Sequence, residues 1–485
     1  MATQLSDPGV EQGQRPKAAW GALIFLALAQ LMVVLDGTIV NLALPQLQAH
    51  MGISDSTRAW VVTAYALALG AFLLLGGRIA DFWGRKRTFI VAAAGFAVAS
   101  LAGGIAQEAW ELIAARALQG VFAALLAPAA LALLTVSFPG GKDRGTAFAI
   151  FGSISGVGAA IGVLLGGFLT DYVSWRWCFF VNVPIAVIAL TGVSLKVRES
   201  KAGGSTKYDW PGVVLAALGL GSLVYGFTNA EHGWGAPEAW GFIAAGVILL
   251  VLFVAVEKNV KHPLLPLHIA TERNRAAAFL ASFLSGAVLI GGILFINYYI
   301  QIVLGFKPFL AGIASLPMTV VLIATAGIVA KNLPKLGAKI PTALGPVFMA
   351  AAMLLLTGVT ADGSYAAIML PALILMGIGL GMVFVPMQNL ALFGVDKDDS
   401  GVAGALVNAS QQIGGSLGIA LFSTIAAAAT AGGVSLAALS TGYAAVFLWA
   451  GGVAILIVPI ALLLINIDRK TFSGMESDTP AVHLG

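Results

Sequence analysis

The sequence predicts an all-α polytopic membrane protein, with fourteen transmembrane helices grouped as two six-helix bundles and one helix pair inserted between them. Three observations carry that expectation. Hydrophobic residues make up 59% of the 485 and charged residues only 10%, against roughly 25% charged in soluble domains, so burial in water does not account for the composition. Apolar stretches long enough to cross a bilayer, which takes about 20 helical residues, recur along the whole chain. Between them, lysines and arginines gather in alternate gaps, the pattern left when every second loop stays on the inner side.

The first 17 residues are polar and hold no apolar signal core, so nothing is expected to be cleaved and the first apolar stretch acts as the first span. Reading helices between polar breaks places the spans of the first block at 18–46, 58–80, 88–107, 110–138, 144–171 and 176–196. A linker rich in Gly, Ser and Lys follows, then spans at 210–230 and 238–257, then a linker containing Pro263 and Pro266. The second block reads 275–304, 309–331, 339–360, 364–394, 400–430 and 441–467. With an internal amino terminus, the inner segments collect Arg15, Lys17, Arg85, Lys86, Arg87, Lys142, Arg144, Lys196, Arg198 and Lys201, and in the later loops Lys258, Arg273, Lys331, Lys335, Lys339 and Lys470. The outer segments hold only Arg58, Arg176 and Lys307. That asymmetry agrees with fourteen helices, and one helix more or fewer would scramble it.

The expected organisation is therefore a cytoplasmic tail over 1–17, a bundle over 18–196, linkers carrying helices 7 and 8 over 197–274, a second bundle over 275–467, and a cytoplasmic tail over 468–485. The basic loop 331–339 holds the same place in the second block as the loop 81–88 in the first, and two similar halves are a transporter-like plan. No Gly-x-x-x-x-Gly-Lys-Ser/Thr loop is present, so uphill movement would have to draw on an ion gradient. The net charge of +4 is small and spread over short loops, which suits membrane topology and no nucleic-acid partner. A single cysteine, Cys178, excludes an intramolecular disulfide.

Asp36 is the one acid deep inside an apolar run, between Trp20 and Pro45. Carboxylates at membrane depth are expensive and tend to mark proton or cation handling; the plainer alternative is a structural Asp capped by neighbouring backbone. The run 77–87, Gly-Arg-Ile-Ala-Asp-Phe-Trp-Gly-Arg-Lys-Arg, joins the second and third helices. Gly77 and Gly84 permit a tight turn and close helix approach, Asp81 is placed to accept hydrogen bonds from a neighbouring helix N-terminus, and Arg85, Lys86 and Arg87 serve as topology signal or gate alike.

This loop resembles the signature cytoplasmic loop of the major facilitator superfamily. The resemblance narrows to the 14-helix drug:proton antiporters through Leu35-Asp36-Gly37-Thr38-Ile39-Val40-Asn41-Leu42-Ala43-Leu44-Pro45 in helix 1 and Leu112, Arg116, Gln119 and Gly120 in helix 4. Trp175-Arg176-Trp177, Phe179, Phe180, Asn182 and Pro184 entering helix 6 add to it, as do His232-Gly233-Trp234-Gly235 and Gln411-Gln412-Ile413-Gly414-Gly415. It implies the major facilitator fold and secondary export of amphipathic drugs or antibiotics by alternating access, with protons as the exchanged ion; the alternative is an exporter of one endogenous metabolite, such as a self-made antibiotic, a lipid or an amino acid. The chain departs from the antiporter motif of helix 5, usually Gly-Pro-x-x-Gly-Gly, by reading Gly162-Val163-Leu164-Leu165-Gly166-Gly167. Val163 replaces the proline, which bears on the bend attributed to that motif. Gly158, Gly162 and Gly166 still recur every four residues and share one helix face.

At about 1.5 Å per residue, Asp36 lies roughly 15 Å and Arg116 roughly 10 Å below the outer ends of their helices, so the two are expected to meet. Pairing is the economical state for two buried ions, and a proton on Asp36 would release Arg116 and shift the preference between two packings. Gln30, Asn41, Gln119, Asn297, Gln301, Gln388, Asn389, Asn408 and Gln411 are uncharged polar groups inside spans, and several are expected to face a central cavity. Phe151, Tyr298, Tyr299, Phe384 and Met387 are candidates for its apolar contacts, although a core or lipid-facing place is the commoner fate of each. Helices 10 and 13 contain no Asp or Glu, so the expected substrates are neutral or singly charged. The five histidines show no ligand spacing, and no nucleophile, base and orienting group can be assembled, so neither metal, cofactor nor enzyme chemistry is expected. The expected setting is a monomer in the lipid bilayer of a plasma (inner) membrane.

Overall fold

The computed structural model describes residues 16–138, 141–201, 209–230, 237–260, 263–395, 400–430 and 432–467. Among them, fourteen helices are long and apolar enough to cross a membrane. The first six are α1 (Ala19–Met51), α2 (Thr57–Trp83), α3 (Arg85–Ile105), α4 (Ala109–Ser137), α5 (Thr146–Tyr172) and α6 (Trp177–Lys196). The inserted pair is α7 (Trp210–Asn229) and α8 (Pro237–Asn259). The last six are α9 (Arg273–Val303), α10 (Pro308–Leu336), α11 (Lys339–Leu356), α12 (Tyr365–Leu392), α13 (Val402–Thr430) and α14 (Leu436–Leu464).

Side-chain caps decide several ends that hydropathy does not. The Ser54 hydroxyl accepts from the Thr57 amide at the start of α2, and Ser435 caps α14 through the Ala438 amide, five residues before the expected start at 441. Helix α1 continues to Met51, past the expected end at 46, with Pro45 inside it. Leu42, Ala43, Leu44 and Leu47 beside it are buried, so tertiary packing holds this turn although the proline supplies no N–H. Helix α9 holds two π segments, Ala287–Gly292 and Tyr299–Val303, and α12 opens with a third, Tyr365–Met369. Such bulges add a residue to a turn without leaving backbone groups unpaired in an apolar medium.

Packing repeats between the blocks. Within the first, α1 contacts α5, α2 contacts α4, and α3 contacts α6; within the second, α9 contacts α13, α10 contacts α12, and α11 contacts α14. The blocks meet through α2 against α13 and α5 against α10, which is again a symmetric exchange of equivalent positions. The inserted helices pack on each other, and α7 also leans on α2 and α13. Leu75, Val213, Ala216, Phe253 and Leu264 make a small core at that junction, and Thr424 of α13 donates to the Phe227 carbonyl, 2.7 Å away.

The two ends of the molecule differ. Away from the basic loops, Leu35 to Leu47 of α1, Ala59 to Val62 of α2 and Leu169 of α5 share one core with α9, α10 and α14. Toward the basic loops, the first bundle closes on its own core, which among the described residues takes in Ala409 from the second block, with Ala405 and Ile413 of the same helix packed against it. The bundles are thus sealed together through a broad core at one end and touch through a single helix of the second block in the core toward the basic end.

Candidate functional site

Asp36 of α1 and Arg116 of α4 are both buried and form an ion pair, Arg116 Nη1 donating to Asp36 Oδ2 at 2.6 Å. The rest of the shell explains how two charges survive there. Asp36 Oδ1 accepts from Gln119 Nε2 at 3.0 Å and from Asn182 Nδ2 of α6 at 2.8 Å. Arg116 Nε donates to the Val61 carbonyl at 2.9 Å, Nη1 also reaches Gln119 Oε1 at 2.8 Å, and the guanidinium lies over the Tyr65 ring, 4.3 Å from its centroid. Ser100 of α3 accepts the second Gln119 N–H at 2.7 Å. A buried pair with its remaining lone pairs and protons satisfied avoids most of the desolvation penalty that an isolated pair would carry.

Close helix approach makes this geometry possible. Gly120 sets α4 against α2: a Cβ there would lie 2.4 Å from the Tyr65 carbonyl oxygen and 2.8 Å from the Ala68 Cβ. On the other side of α1 runs the α5 ridge. A Cβ on Gly158 would meet Leu31 at 3.0 Å, on Gly162 the Thr38 hydroxyl at 2.0 Å, and on Gly166 the Ile39 carbonyl at 2.6 Å. Gly167 faces away from that seam, toward the Pro308 carbonyl oxygen of α10 at 2.6 Å. The expected shared face of Gly158, Gly162 and Gly166 therefore lies along α1 from Leu31 to Ile39, straddling Asp36. Val163 leaves α5 unbroken, and its carbonyl oxygen packs against Gly312 of α10.

The loop between α2 and α3 turns on Gly84, whose φ of +130° is open to glycine and strained for other residues. Asp81 was expected to bond a neighbouring helix N-terminus; instead its Oδ1 accepts from Arg85 Nη2 at 2.8 Å and Nε at 3.0 Å within the same loop. That helix N-terminus is capped by a residue the sequence reading passed over. Glu199, just beyond α6, accepts the Lys86 and Arg87 amides at 3.1 Å each and lies 3.7 Å from the Arg87 guanidinium. Lys86 Nζ donates to the Ser194 carbonyl, and Gly77 approaches only Pro128, at 3.8 Å, so it is no tight contact.

Of the groups expected around a central cavity, several lie elsewhere. Gln119 belongs to the Asp36 cluster. Asn297 is buried and accepts from Ser315 of α10, while Asn41, Asn389 and Asn408 donate back to carbonyls of their own helices, satisfying their amides locally. Gln411 packs its backbone on Gly286. Gln30, Gln301 and Gln388 are half-buried, and Gln301 Nε2 has no hydrogen-bond partner. Phe151 and Met387 are core residues, Phe384 is exposed, and Tyr299 donates to the Thr360 carbonyl at 2.8 Å. Tyr298 closes the sealed end: the Arg58 guanidinium stacks 3.7 Å above its ring while pairing with Asp55 at 3.1 Å and bonding Gln48. Sequence reading treated Arg58 only as a stray outer charge. The segment His232 to Gly235, residues 1–15 of the expected first tail and the tail 468–485 lie outside the described residues, while Pro16 and Lys17 already belong to the first helix.

Residues 26–419 match the sequence profile of the Major Facilitator Superfamily. The chain belongs to that superfamily. It is 43% identical to a puromycin resistance protein of Streptomyces alboniger over 97% of this chain and 96% of that one. A cephamycin export protein of Amycolatopsis lactamdurans is 35% identical, with 96% of each chain covered, and a lincomycin resistance protein of Streptomyces lincolnensis 30% identical with the same coverage. Among solved structures, a peptide transporter in complex with sulfate superposes with a TM-score of 0.68 over 92% of this chain and 94% of that one at 16% identity. The inward-open xylose transporter of E. coli gives 0.63 over 95% and 99% at 14%. At such identities the likeness is one of fold alone.

Proposed function

We propose that this superfamily member exports amphipathic, antibiotic-like molecules across the plasma membrane in exchange for protons, with both termini and the basic loops in the cytoplasm. The observation that carries the proton part is Asp36, a buried carboxylate held by three donors on α4 and α6 and flanked by the α5 ridge. Protonation removes the charge that binds Arg116, so the α1–α4 contact weakens and the balance between two packings shifts. The export part is supported by resistance and export relatives that align over nearly the whole chain. On this reading the working units are the bundles at 18–196 and 275–467, with 197–274 as an inserted accessory, and a monomer suffices.

Asp81, Gly84 and the three basic residues act as the cytoplasmic gate, held here by the Asp81–Arg85 pair and by Glu199 and the Ser194 carbonyl at the end of α6. Half-buried Gln30, Gln301 and Gln388 are the polar groups best placed to serve substrate. The absence of Asp and Glu from α10 and α13 favours neutral or singly charged molecules. Inside-out vesicles with an imposed pH gradient test the proposal: puromycin or a related amphiphile should accumulate only when the lumen is acid, and the accumulation should vanish in Asp36→Asn. Uptake without a proton gradient would overturn it. The cephamycin export relative keeps a second reading open, export of one self-made metabolite. A compound panel in the same vesicles separates the two by the number of molecules moved.

A further inference from the structure

At the basic end, where α7 and α8 meet, two acids are buried together: Asp209 is 5% and Glu257 4% exposed. Asp209 Oδ1 caps α7 by accepting from the Gly212 amide at 2.9 Å, and Glu257 Oε2 accepts from the Leu265 amide at 3.0 Å. The second oxygen of each carboxyl, Asp209 Oδ2 and Glu257 Oε1, is buried without a hydrogen-bond partner. Both converge on Gly212, where a Cβ would stand 2.4 Å from Oδ2 and 2.7 Å from Oε1. Two ionised carboxylates so placed would repel each other with no donor between them, a costly arrangement for buried oxygens. One proton satisfies both orphan oxygens at once, as an O–H on one carboxyl donated to the other.

We propose that Asp209 and Glu257 hold one shared proton between Oδ2 and Oε1, a protonation site separate from Asp36. Its place gives it a consequence. Arg78, from the α2 end of the gate loop, donates to the Pro263 carbonyl at 2.8 Å, and the linker that begins there is held again by Glu257 at Leu265. The shared proton thus fastens the inserted pair to the linker, and through it to α2 and α9. A cleft of about 670 Å³, lined by Arg78, Glu257, Lys258, Pro263 and His268 among others, opens beside Glu257 and supplies the aqueous route for proton loss. Among the described residues, the charged or titratable groups that line this cleft with Glu257 are Arg78 from α2, Lys258 on α8 itself and His268 on the turn preceding α9. When the proton leaves to water, two negative charges remain and the fastening loosens. The proposal does not depend on proton antiport at Asp36.

The test uses the full-length protein in lipid nanodiscs. The thermal unfolding midpoint of the wild type should fall by a few degrees as the buffer passes from mildly acid to mildly alkaline. In Glu257→Gln the amide donates to Asp209 Oδ2 at every pH, and in Asp209→Asn the cap is kept, since Asn serves that position as well as Asp; both curves should be flatter than wild type. Infrared difference spectra on alkalinisation should show a protonated-carboxyl band disappearing from the wild type and from Asp36→Asn but missing in Glu257→Gln. Equal pH slopes in wild type and both variants, or no such band in the wild type, would overturn the proposal. So would restoration of the wild-type midpoint at alkaline pH by sodium or magnesium, which would make this a cation site. If neither variant folds, the band in wild type and Asp36→Asn alone decides.

Discussion

Asp36 is held from both of its oxygens, which makes the two obvious substitutions unequal. In Asp36→Asn the new N–H₂ group must replace Oδ1 or Oδ2, and each of these now accepts from a donor. If it takes the Oδ1 position, Asn182 can turn its amide and offer Oδ1, which has no partner at present, but the Gln119 contact is lost. The unmade hydrogen bond costs about 1–3 kcal/mol, and Arg116 is left buried without its counter-charge, a loss of about 3–5 kcal/mol for a broken buried pair, so the variant should fold with clearly reduced stability while proton-driven accumulation in vesicles disappears. Wild-type accumulation would sink the coupling role. Arg116→Ala leaves the carboxylate with the Gln119 and Asn182 donors only, and breaking a buried pair costs about 3–5 kcal/mol. Combined with Asp36→Asn, its stability loss should be far less than additive; simple additivity in the double-mutant cycle would show the groups uncoupled. The meeting of Asp36 and Arg116 was readable from their depths along two antiparallel helices. The roles of Asn182, Ser100 and Gln119 were not, because a depth count says nothing about which way a helix is rotated.

At the scale of a helix, the α5 ridge sorts its glycines by what each would strike. Gly158 meets the flexible end of Leu31, Gly162 a hydroxyl that rotation can move, and Gly166 a backbone carbonyl that cannot yield. Alanine at the three positions should therefore cost increasing stability in the order Gly158, Gly162, Gly166, reaching about 1–3 kcal/mol at the last. Unfolding midpoints check the order, and equal costs would mean the ridge is not the seam. Val163→Pro removes an N–H from an unbroken helix and should cost about 3 kcal/mol. Because α5 already touches α1 closely without a proline, proton leak into substrate-free proteoliposomes should be low in the wild type and no lower in Val163→Pro. A leaky wild type tightened by the proline would restore that motif position to the coupling mechanism. Spacing of four residues made the ridge visible in sequence, but its partner α1 was not, and neither were ends fixed by caps, such as the Ser435 start of α14.

Across the whole molecule, the number and order of helices follow from hydropathy and basic loops, whereas the sealed end rests on contacts between residues more than one hundred positions apart. Arg58 on α2 and Tyr298 on α9 are such a pair, and no local pattern joins them. Alternating access requires the sealed end to part when the basic end closes, so the Arg58 stack must break once in each cycle. A partly desolvated cation–π contact contributes about 0.5–2 kcal/mol, and about 1.4 kcal/mol is tenfold in an equilibrium. Arg58→Ala should therefore raise the population open at this end by roughly two- to thirtyfold. Spin labels on the sealed ends of α2 and α9 read this as a longer-distance population in pulsed EPR; an unchanged distribution would mean that Arg58 merely decorates a contact set by the apolar core. At the other end, Asp81→Asn removes the negative charge that pairs with Arg85 and Gly84→Val forces a strained φ, so both should slow transport in vesicles. Asp81 is in the last turn of α2 and Gly84 joins it to α3, at the basic end, so equilibrium binding of the transported molecule in detergent should stay within about twofold, under 0.5 kcal/mol. A parallel loss of binding would place the loop in the ligand site and remove it from the gate.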